Sequence, residues 1–137
     1  MTRRSVLVAI AAALPASESK NRLLRRLGWN IGHGVRIGPC LVFHLDYVDI
    51  GDGAQINPFN VMRELASLTL GDHARIGSWN WVTASRAMRA IGGAAVLHLG
   101  AHSAISSRHY IDSTGGIRIG THTTIAGERS TFPRVRA

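Results

Sequence analysis

From Ile31 onward, aliphatic residues recur at intervals of six positions, and a glycine follows the first of each pair. The repeated pattern is aliphatic, Gly, any, any, small or β-branched, any, Ile. The five segments begin at Ile31, Ile50, Leu70, Leu99 and Ile119 and end at Ile37, Ile56, Ile76, Ile105 and Ile125. A period of six fits neither a lone helix nor a simple alternating strand, but it fits a short strand followed by a corner. We therefore predict stacked coils with the five closing isoleucines in one buried column.

Each coil is predicted to have three faces of six residues. The third inward position then falls at Phe43, Met62, Val82, Ile111 and Thr131, of which only Thr131 is not apolar. The segments start 19, 20, 29 and 20 residues apart, so the long interval contains one coil and a loop of about 11 residues near residues 86–96. The glycine is expected at a corner, where φ can be positive and a side chain would clash.

The pattern predicts an all-β fold, a parallel β-helix of about five hexapeptide-repeat coils over residues 31–131 with a short N-terminal helix. Because one coil cannot bury its aliphatic residues alone, stacking should stabilise the fold. An antiparallel β domain with glycine turns is the alternative, but it does not explain the recurrence of six in five successive segments. Residues 1–30 form an N-terminal arm and capping helix in this division, and residues 132–137 form a non-repeat tail.

The segment before the repeat contains two predicted features. Ser17 can cap a short helix, Gly28 can end it, and its apolar face is Leu23, Leu24 and Leu27. This helix is predicted to cover the first coil, with a basic amphipathic helix on a membrane surface as the alternative. The apolar residues 6–14 resemble a short signal peptide, but no small-x-small cleavage site follows them. The competing interpretation is an arm that packs on the protein or contacts a membrane surface.

The chain is basic, with 16 Lys and Arg residues against 8 Asp and Glu residues and a formal charge of +8. This excess favours anionic partners such as phosphorylated cofactors, acidic glycans or lipid headgroups. Nucleic acid is not expected as a partner, because the arginines are scattered and form no dense basic run. The length of 137 residues allows one domain, and the single cysteine, Cys40, excludes an internal disulfide. No stretch reaches the ~20 apolar residues of a membrane span.

Four segments resemble a known family. Residues 50–56 (IGDGAQI) and 119–125 (IGTHTTI) are similar to the hexapeptide repeats of left-handed β-helix acyltransferases. Residues 107–112 (SRHYID) and 115–120 (GGIRIG) resemble the sugar O-acetyltransferases of polysaccharide biosynthesis. The resemblance covers about residues 14–131. It implies left-handed coils, although general crossover rules favour the opposite hand.

The resemblance also implies a reaction. Family members commonly transfer an acetyl group from acetyl-CoA, here to a sugar hydroxyl. A histidine takes the proton from the acceptor as it attacks the thioester, and backbone N–H groups can stabilise the oxyanion. The active site usually lies between neighbouring subunits, so we expect a homotrimer. We also expect a cytoplasmic location, with peripheral membrane contact through the N-terminal arm.

His109 is the predicted catalytic base, because Asp112 lies close enough in the sequence to orient its imidazole. The predicted substrate-binding residues are Asn80, Trp81, Arg108, Tyr110, Asp112 and Arg129. His109 shares one column of the repeat with Leu41, Asn60, Asn80 and Arg129. The alternative for this column is a structural ladder, whose polar side chains bind stacked backbone groups.

Two other groups have more than one interpretation. Trp79 and Trp81 flank Asn80, and their indoles fit either a trimer interface or stacking against a sugar ring. His73, His102 and His122 share a second column, as in a metal site of the hexapeptide-repeat carbonic anhydrases. The outer two should lie about 10 Å apart, too far to share a zinc ion. We therefore predict an exposed ladder and no metal site, with a site shared between subunits as the alternative.

The C-terminal end departs from the family pattern. Relatives with a segment like residues 129–131 usually continue to a Thr-His pair that supplies the base, whereas this chain continues as Phe-Pro-Arg-Val-Arg-Ala. We expect a truncated, frameshifted or degenerate copy with an incomplete acetyl-CoA groove and poor or no activity. The alternative function is a non-catalytic remnant or scaffold that keeps only the fold and the oligomer interface. A metal-dependent hydratase is a third, more distant alternative.

Overall fold

The computed structural model of the chain describes residues 3–85, 94–126 and 131–133. Two helices precede the repeat, α1 (Arg3–Ala12) and α2 (Glu18–Arg26). The strands are β1 (Asn30–Ile31), β2 (Arg36–Ile37), β3 (Leu41–Phe43), β4 (Tyr47–Ile50), β5 (Gln55–Ile56), β6 (Val61–Arg63), β7 (Ser67–Leu70), β8 (Arg75–Ile76), β9 (Trp81–Thr83), β10 (Val96–Leu99), β11 (Ala104–Ile105), β12 (Tyr110–Asp112), β13 (Ile117–Ile119), β14 (Thr124–Ile125) and β15 (Thr131–Pro133). The loop predicted at residues 86–96 falls mainly outside the described residues.

The strands form three parallel sheets of five strands each, and the chain passes through the three sheets in turn. The first sheet has the order β1-β4-β7-β10-β13, the second β14-β11-β8-β5-β2, and the third β15-β12-β9-β6-β3. Each strand therefore pairs with the equivalent strand of the next coil. This arrangement confirms the predicted parallel β-helix of about five coils.

Aliphatic columns form the core of the β-helix. The closing isoleucines pair in register from coil to coil, in the order Ile37, Ile56, Ile76, Ile105 and Ile125. All are buried except Ile125, which is half-buried in the last coil. Within a strand, burial alternates as the two faces of a sheet require: in β7, Leu68 and Leu70 are buried and Ser67 is not. The predicted isoleucine column is therefore confirmed.

The third inward column differs from the prediction at both of its ends. In the first coil the buried residue is Val42, and Phe43 is only half-buried. In the last coil Phe132, not Thr131, pairs with Ile111. Val42 follows Ile37 by five residues, and Phe132 follows Ile125 by seven. The predicted constant spacing of six was therefore wrong in the first and last coils.

The repeated glycine allows close approach between coils. A Cβ at Gly51, Gly71 or Gly100 would lie 2.5–2.8 Å from a backbone nitrogen of the next coil, so the predicted clash is confirmed. The prediction of a positive φ at this glycine was wrong. The left-handed residue comes two positions later, at Gly34, Gly53, His73, His102 and His122, with φ between 56° and 70°. The close approach and the left-handed turn are thus divided between two residues of the corner.

Helix α1 packs against β3, the edge strand of the third sheet. Its buried residues are Val8, Ala11 and Ala12, and the Cys40 N–H donates a hydrogen bond of 2.9 Å to the Ala12 carbonyl. Across residues 3–85, 94–126 and 131–133, no helix has both the length and the apolar character needed to cross a bilayer.

Helix α2 begins as predicted, because the Ser17 hydroxyl accepts a 3.0 Å hydrogen bond from the Lys20 N–H. Its predicted apolar face is only partly correct. Leu24 is fully buried, whereas Leu23 is 40% exposed and Leu27 is half-buried.

Lys20 joins both helices to the first coil. Its side chain is 2% exposed, and Nζ donates hydrogen bonds to the carbonyls of Ala12 (2.8 Å), Leu14 (2.6 Å) and Gly38 (2.9 Å). Burial lowers the pKa of Lys20 to about 8. Each of the three ammonium protons has a carbonyl acceptor, so every donor of this buried group is hydrogen-bonded inside the protein. The two helices and the first coil therefore form one unit.

Candidate functional site

One side of the β-helix carries a row of exposed apolar side chains, which we call the aromatic face: Leu41, Phe59, Trp79, Trp81 and Tyr110. The third sheet brings Leu41, Val61, Trp81 and Tyr110 into register at outward positions of β3, β6, β9 and β12. The predicted alignment of Trp81 with Tyr110 is confirmed. In the first four coils each outward position of this column is apolar or aromatic, whereas the outward columns of the other two sheets include charged or polar residues.

Two aromatic residues of this face lie at the corner before the third sheet. Phe59 and Trp79 have φ of 69° and 64°, a conformation uncommon for bulky side chains. Their rings stack with centroids 4.9 Å apart, and the Trp79 N–H donates to the Phe59 carbonyl at 3.0 Å. Phe59 is nevertheless 55% exposed and Trp79 61% exposed. Contiguous apolar surface of this kind is typical of a binding surface.

A cleft of about 510 Å³ opens on the aromatic face. Its lining residues are Ala13, Pro39, Cys40, Leu41, Phe59, Asn60, Val61, Trp79, Asn80 and Trp81. The cleft contains no carboxylate, histidine, lysine or arginine among these residues. The one titratable group is the thiol of Cys40, whose pKa is raised by burial, so it stays neutral. The cleft can therefore accept an apolar surface or a ring, but it offers no charged group.

Beneath the aromatic face, polar side chains form a ladder. The Asn60 Nδ2 group donates to the carbonyls of Asn57 and Gly77, both at 2.7 Å, and its Oδ1 accepts from the Asn80 N–H at 2.9 Å. The Asn80 side chain repeats this role one coil later, between the Ser106 carbonyl and the His109 N–H, both at 2.9 Å. The structural-ladder interpretation is thus confirmed for these two asparagines.

Leu41 does not belong to the column of Asn60 and Asn80, contrary to the prediction, because it pairs with Val61 on the aromatic face. The position equivalent to Asn60 in the first coil is Cys40, since the short first corner shifts the count by one. Arg129 lies outside the described residues.

His109 follows Asn80 in the ladder, and its side chain is 2% exposed. Its Nε2 lies 2.8 Å from the Oγ of Ser106, and burial lowers the pKa of the imidazole. The ring is therefore neutral near pH 7, but it is not open to an acceptor from solvent. The catalytic role of His109 stays a prediction.

Asp112 does not orient the imidazole as predicted. Its Oδ1 accepts hydrogen bonds from the Thr114 N–H at 3.0 Å and from the Thr114 hydroxyl. The reason is strand alternation: Asp112 points to the same side as Tyr110, outward from the buried Ile111. Of the other predicted substrate residues, Trp81, Tyr110 and Arg108 are exposed on this side.

His73, His102 and His122 form the predicted ladder. Adjacent rings are stacked with centroids 5.1 and 5.0 Å apart, and all three side chains are exposed. Within the described residues, no group of three or more His, Cys, Asp or Glu side chains is arranged to bind a metal ion.

Phe59 was missed in the sequence, although a signal for it exists. The segment Asn-Pro-Phe-Asn at residues 57–60 aligns with Gly-Ser-Trp-Asn at residues 77–80. Aligning whole corners, rather than only the inward positions, would have placed Phe59 beside Trp79.

The ladder and the aromatic face identify a candidate surface from the chain's own residues. No family model matches the chain, and neither a curated protein nor a solved structure gives a significant match.

Proposed function

We propose that this protein is a hexapeptide-repeat acyltransferase that moves an acetyl group from acetyl-CoA to a sugar hydroxyl. The observation that carries the proposal is the parallel β-helix, in which five hexapeptide coils stack in register. This architecture agrees with the family that residues 50–56 and 119–125 resemble. Left-handed winding, a role in polysaccharide biosynthesis and a cytoplasmic location belong to the same proposal.

His109 is the proposed general base, and Ser106 is the proposed route to it. The neutral imidazole is the form that accepts a proton. Ser106 is half-buried, so its hydroxyl lies between the enclosed ring and the surface. As the sugar oxygen attacks the thioester carbon, its proton passes to the Ser106 Oγ and the Ser106 proton passes to Nε2. The C–S bond then breaks, and CoA leaves as a thiol with the proton from the imidazolium.

A homotrimer that packs through the aromatic face is the proposed assembly. Exposed indole and phenyl rings favour a subunit interface, where they lose contact with water. A closed ring of three copies also covers the same surface on every subunit without forming a filament. In this arrangement Trp81 and Tyr110 contact the acceptor or a neighbouring subunit at the rim of the cleft.

The test is release of thiol from acetyl-CoA with a panel of sugar acceptors. We expect slow release that depends on the acceptor, in line with the poor activity predicted from the sequence. The substitution His109→Gln should lower kcat by about 10²–10⁴-fold, the usual contribution of a general base. Ser106→Ala should reduce kcat as well, because it removes the proton route. His33→Gln is the matched control, since His33 is exposed and lies between β1 and β2, at a different corner from Asn60, Asn80 and His109. Its activity should equal that of the wild type.

A non-catalytic scaffold is the second candidate, favoured by the enclosure of His109 within the ladder. The thiol-release assay separates the two, and sedimentation analysis shows whether the protein tested is a trimer. A folded trimer that releases no thiol above the acceptor-free rate would contradict the acyltransferase and support the scaffold. A folded monomer at micromolar concentration would contradict the interface assigned to Trp79 and Trp81.

A further inference from the structure

Helix α1 is apolar on two opposite sides, and the described part of the chain covers only one of them. The inner side contains the buried Val8, Ala11 and Ala12, and the helix packs against β3, the edge strand of the third sheet. The outer side carries Val6, Leu7 and Ile10, which are 42–58% exposed, and the exposed Leu14 follows just after the helix ends. Spacings of three and four residues place Val6, Leu7 and Ile10 on one stripe of the helix, together with Arg3 at its start. A soluble helix normally has polar residues on this side.

The N-terminal cap, defined as α1 and α2, is also strongly basic. Its basic residues are Arg3, Arg4, Lys20, Arg22, Arg25 and Arg26, and its only acidic residue is Glu18. Glu18 is already paired with Arg25 at 2.9 Å. On α2, the exposed Leu23 lies between Arg22 and Arg26, which are exposed too. The cap therefore combines an apolar stripe with uncompensated positive charge.

The position of the cap on the protein is well defined. The Lys20 Nζ bonds to Ala12, Leu14 and Gly38 attach the end of α1 to the first coil, and the Asn21 Nδ2 group donates to the Val35 carbonyl at 2.8 Å. The stripe thus faces away from the β-helix in a fixed direction, and the protein has no segment among the described residues that covers it.

We propose that the N-terminal cap docks on the surface of a bilayer that contains anionic lipids. The apolar stripe of α1 enters the boundary between headgroups and acyl chains, and Arg3, Arg22 and Arg26 contact the lipid phosphates. A second copy of the cap is a poorer partner, because it would bring two basic surfaces together. The 10 residues of α1 are too few to cross a bilayer, so the helix lies in the interface. This inference is independent of acetyl transfer.

The test is co-sedimentation of the full chain with vesicles. One set contains phosphatidylcholine alone, and the other contains phosphatidylcholine with phosphatidylglycerol. We expect binding to the anionic set that weakens as salt rises from ~0.05 to ~0.5 M, because screening reduces the attraction of the arginines. Arg22→Gln with Arg26→Gln should weaken binding roughly 30-fold, given about a five-fold effect for each charge. Leu7→Gln with Ile10→Gln should weaken it by at least about ten-fold.

Control variants remove exposed arginines and an exposed apolar group outside the cap. Arg36→Gln with Arg75→Gln removes two exposed arginines from the β-helix wall, and Tyr47→Gln removes an exposed ring. Both should bind anionic vesicles within about two-fold of the wild type, since neither change touches the cap. Circular dichroism checks that each variant is folded, and the salt and lipid series of the wild type tests the proposal even if a cap variant does not fold.

Several results would overturn the inference. The inference fails if the wild type binds both vesicle sets equally or binds neither. It also fails if Arg22→Gln with Arg26→Gln and Arg36→Gln with Arg75→Gln reduce binding to anionic vesicles equally. If Leu7→Gln with Ile10→Gln binds vesicles normally but changes the sedimentation coefficient without lipid, the stripe is an interface between copies instead.

Discussion

Removing the side-chain amide of Asn80 should destabilise the β-helix strongly. In the wild type, Oδ1 accepts from the enclosed His109 N–H and Nδ2 donates to the partly buried Ser106 carbonyl, both at 2.9 Å. Asn80→Ala leaves both backbone groups without these partners. A buried polar group that loses its hydrogen bond costs about 1–3 kcal/mol, and the carbonyl, being nearer to water, should lie at the low end. The free energy of unfolding should therefore fall by about 2–4 kcal/mol.

Urea denaturation at one fixed protein concentration measures this loss. The matched control is Asn30→Ala, because Asn30 is exposed and its amide makes only a 3.5 Å contact with the Tyr47 hydroxyl. The control should change the free energy of unfolding by less than about 0.5 kcal/mol. If Asn80→Ala is as mild as Asn30→Ala, the ladder does not stabilise the stacked coils, and the reasoning from its hydrogen bonds fails.

Three further predictions concern stability, all measured by the same denaturation. Ile76→Ala should cost about 2–5 kcal/mol, because the side chain is fully buried in the isoleucine column, and a loss under ~1 kcal/mol would count against that column. Gly71→Ala should cost at least about 1 kcal/mol, since its Cβ would lie 2.5 Å from the Ala101 nitrogen, whereas Gly120→Ala, with its nearest neighbouring atom at 3.9 Å, should be tolerated. Lys20→Met tests the buried amine. The pKa of Lys20 is about 8 in the folded protein, below the ordinary value of 10.5. Between these two pH values the unfolded state binds more protons than the folded state, so the stability of the wild type rises with pH. Relative to Lys20→Met, the wild type should gain up to about 3 kcal/mol across this window, and a constant difference would show that the pKa is not lowered.

The sequence alone determined the coils and most inward positions of the fold. A six-residue period with a closing isoleucine has few structural solutions, because each coil can bury its aliphatic residues only against the next one. The same period placed Trp81 and Tyr110 in one column and predicted the stacked histidines. These features depend on counting residues, and counting succeeds wherever the corners have equal length.

Only the tertiary structure decided what the corners do. Val42 takes the inward position predicted for Phe43, and Phe132 rather than Thr131 aligns with Ile111, because the spacing departs from six by one residue and only the pairing between coils reveals where. The enclosure of His109 was equally invisible, since a histidine at a ladder position can point into the wall or out of it. The sequence determined which residues share a column, and the packing of neighbouring coils determined which of their atoms remain available for chemistry.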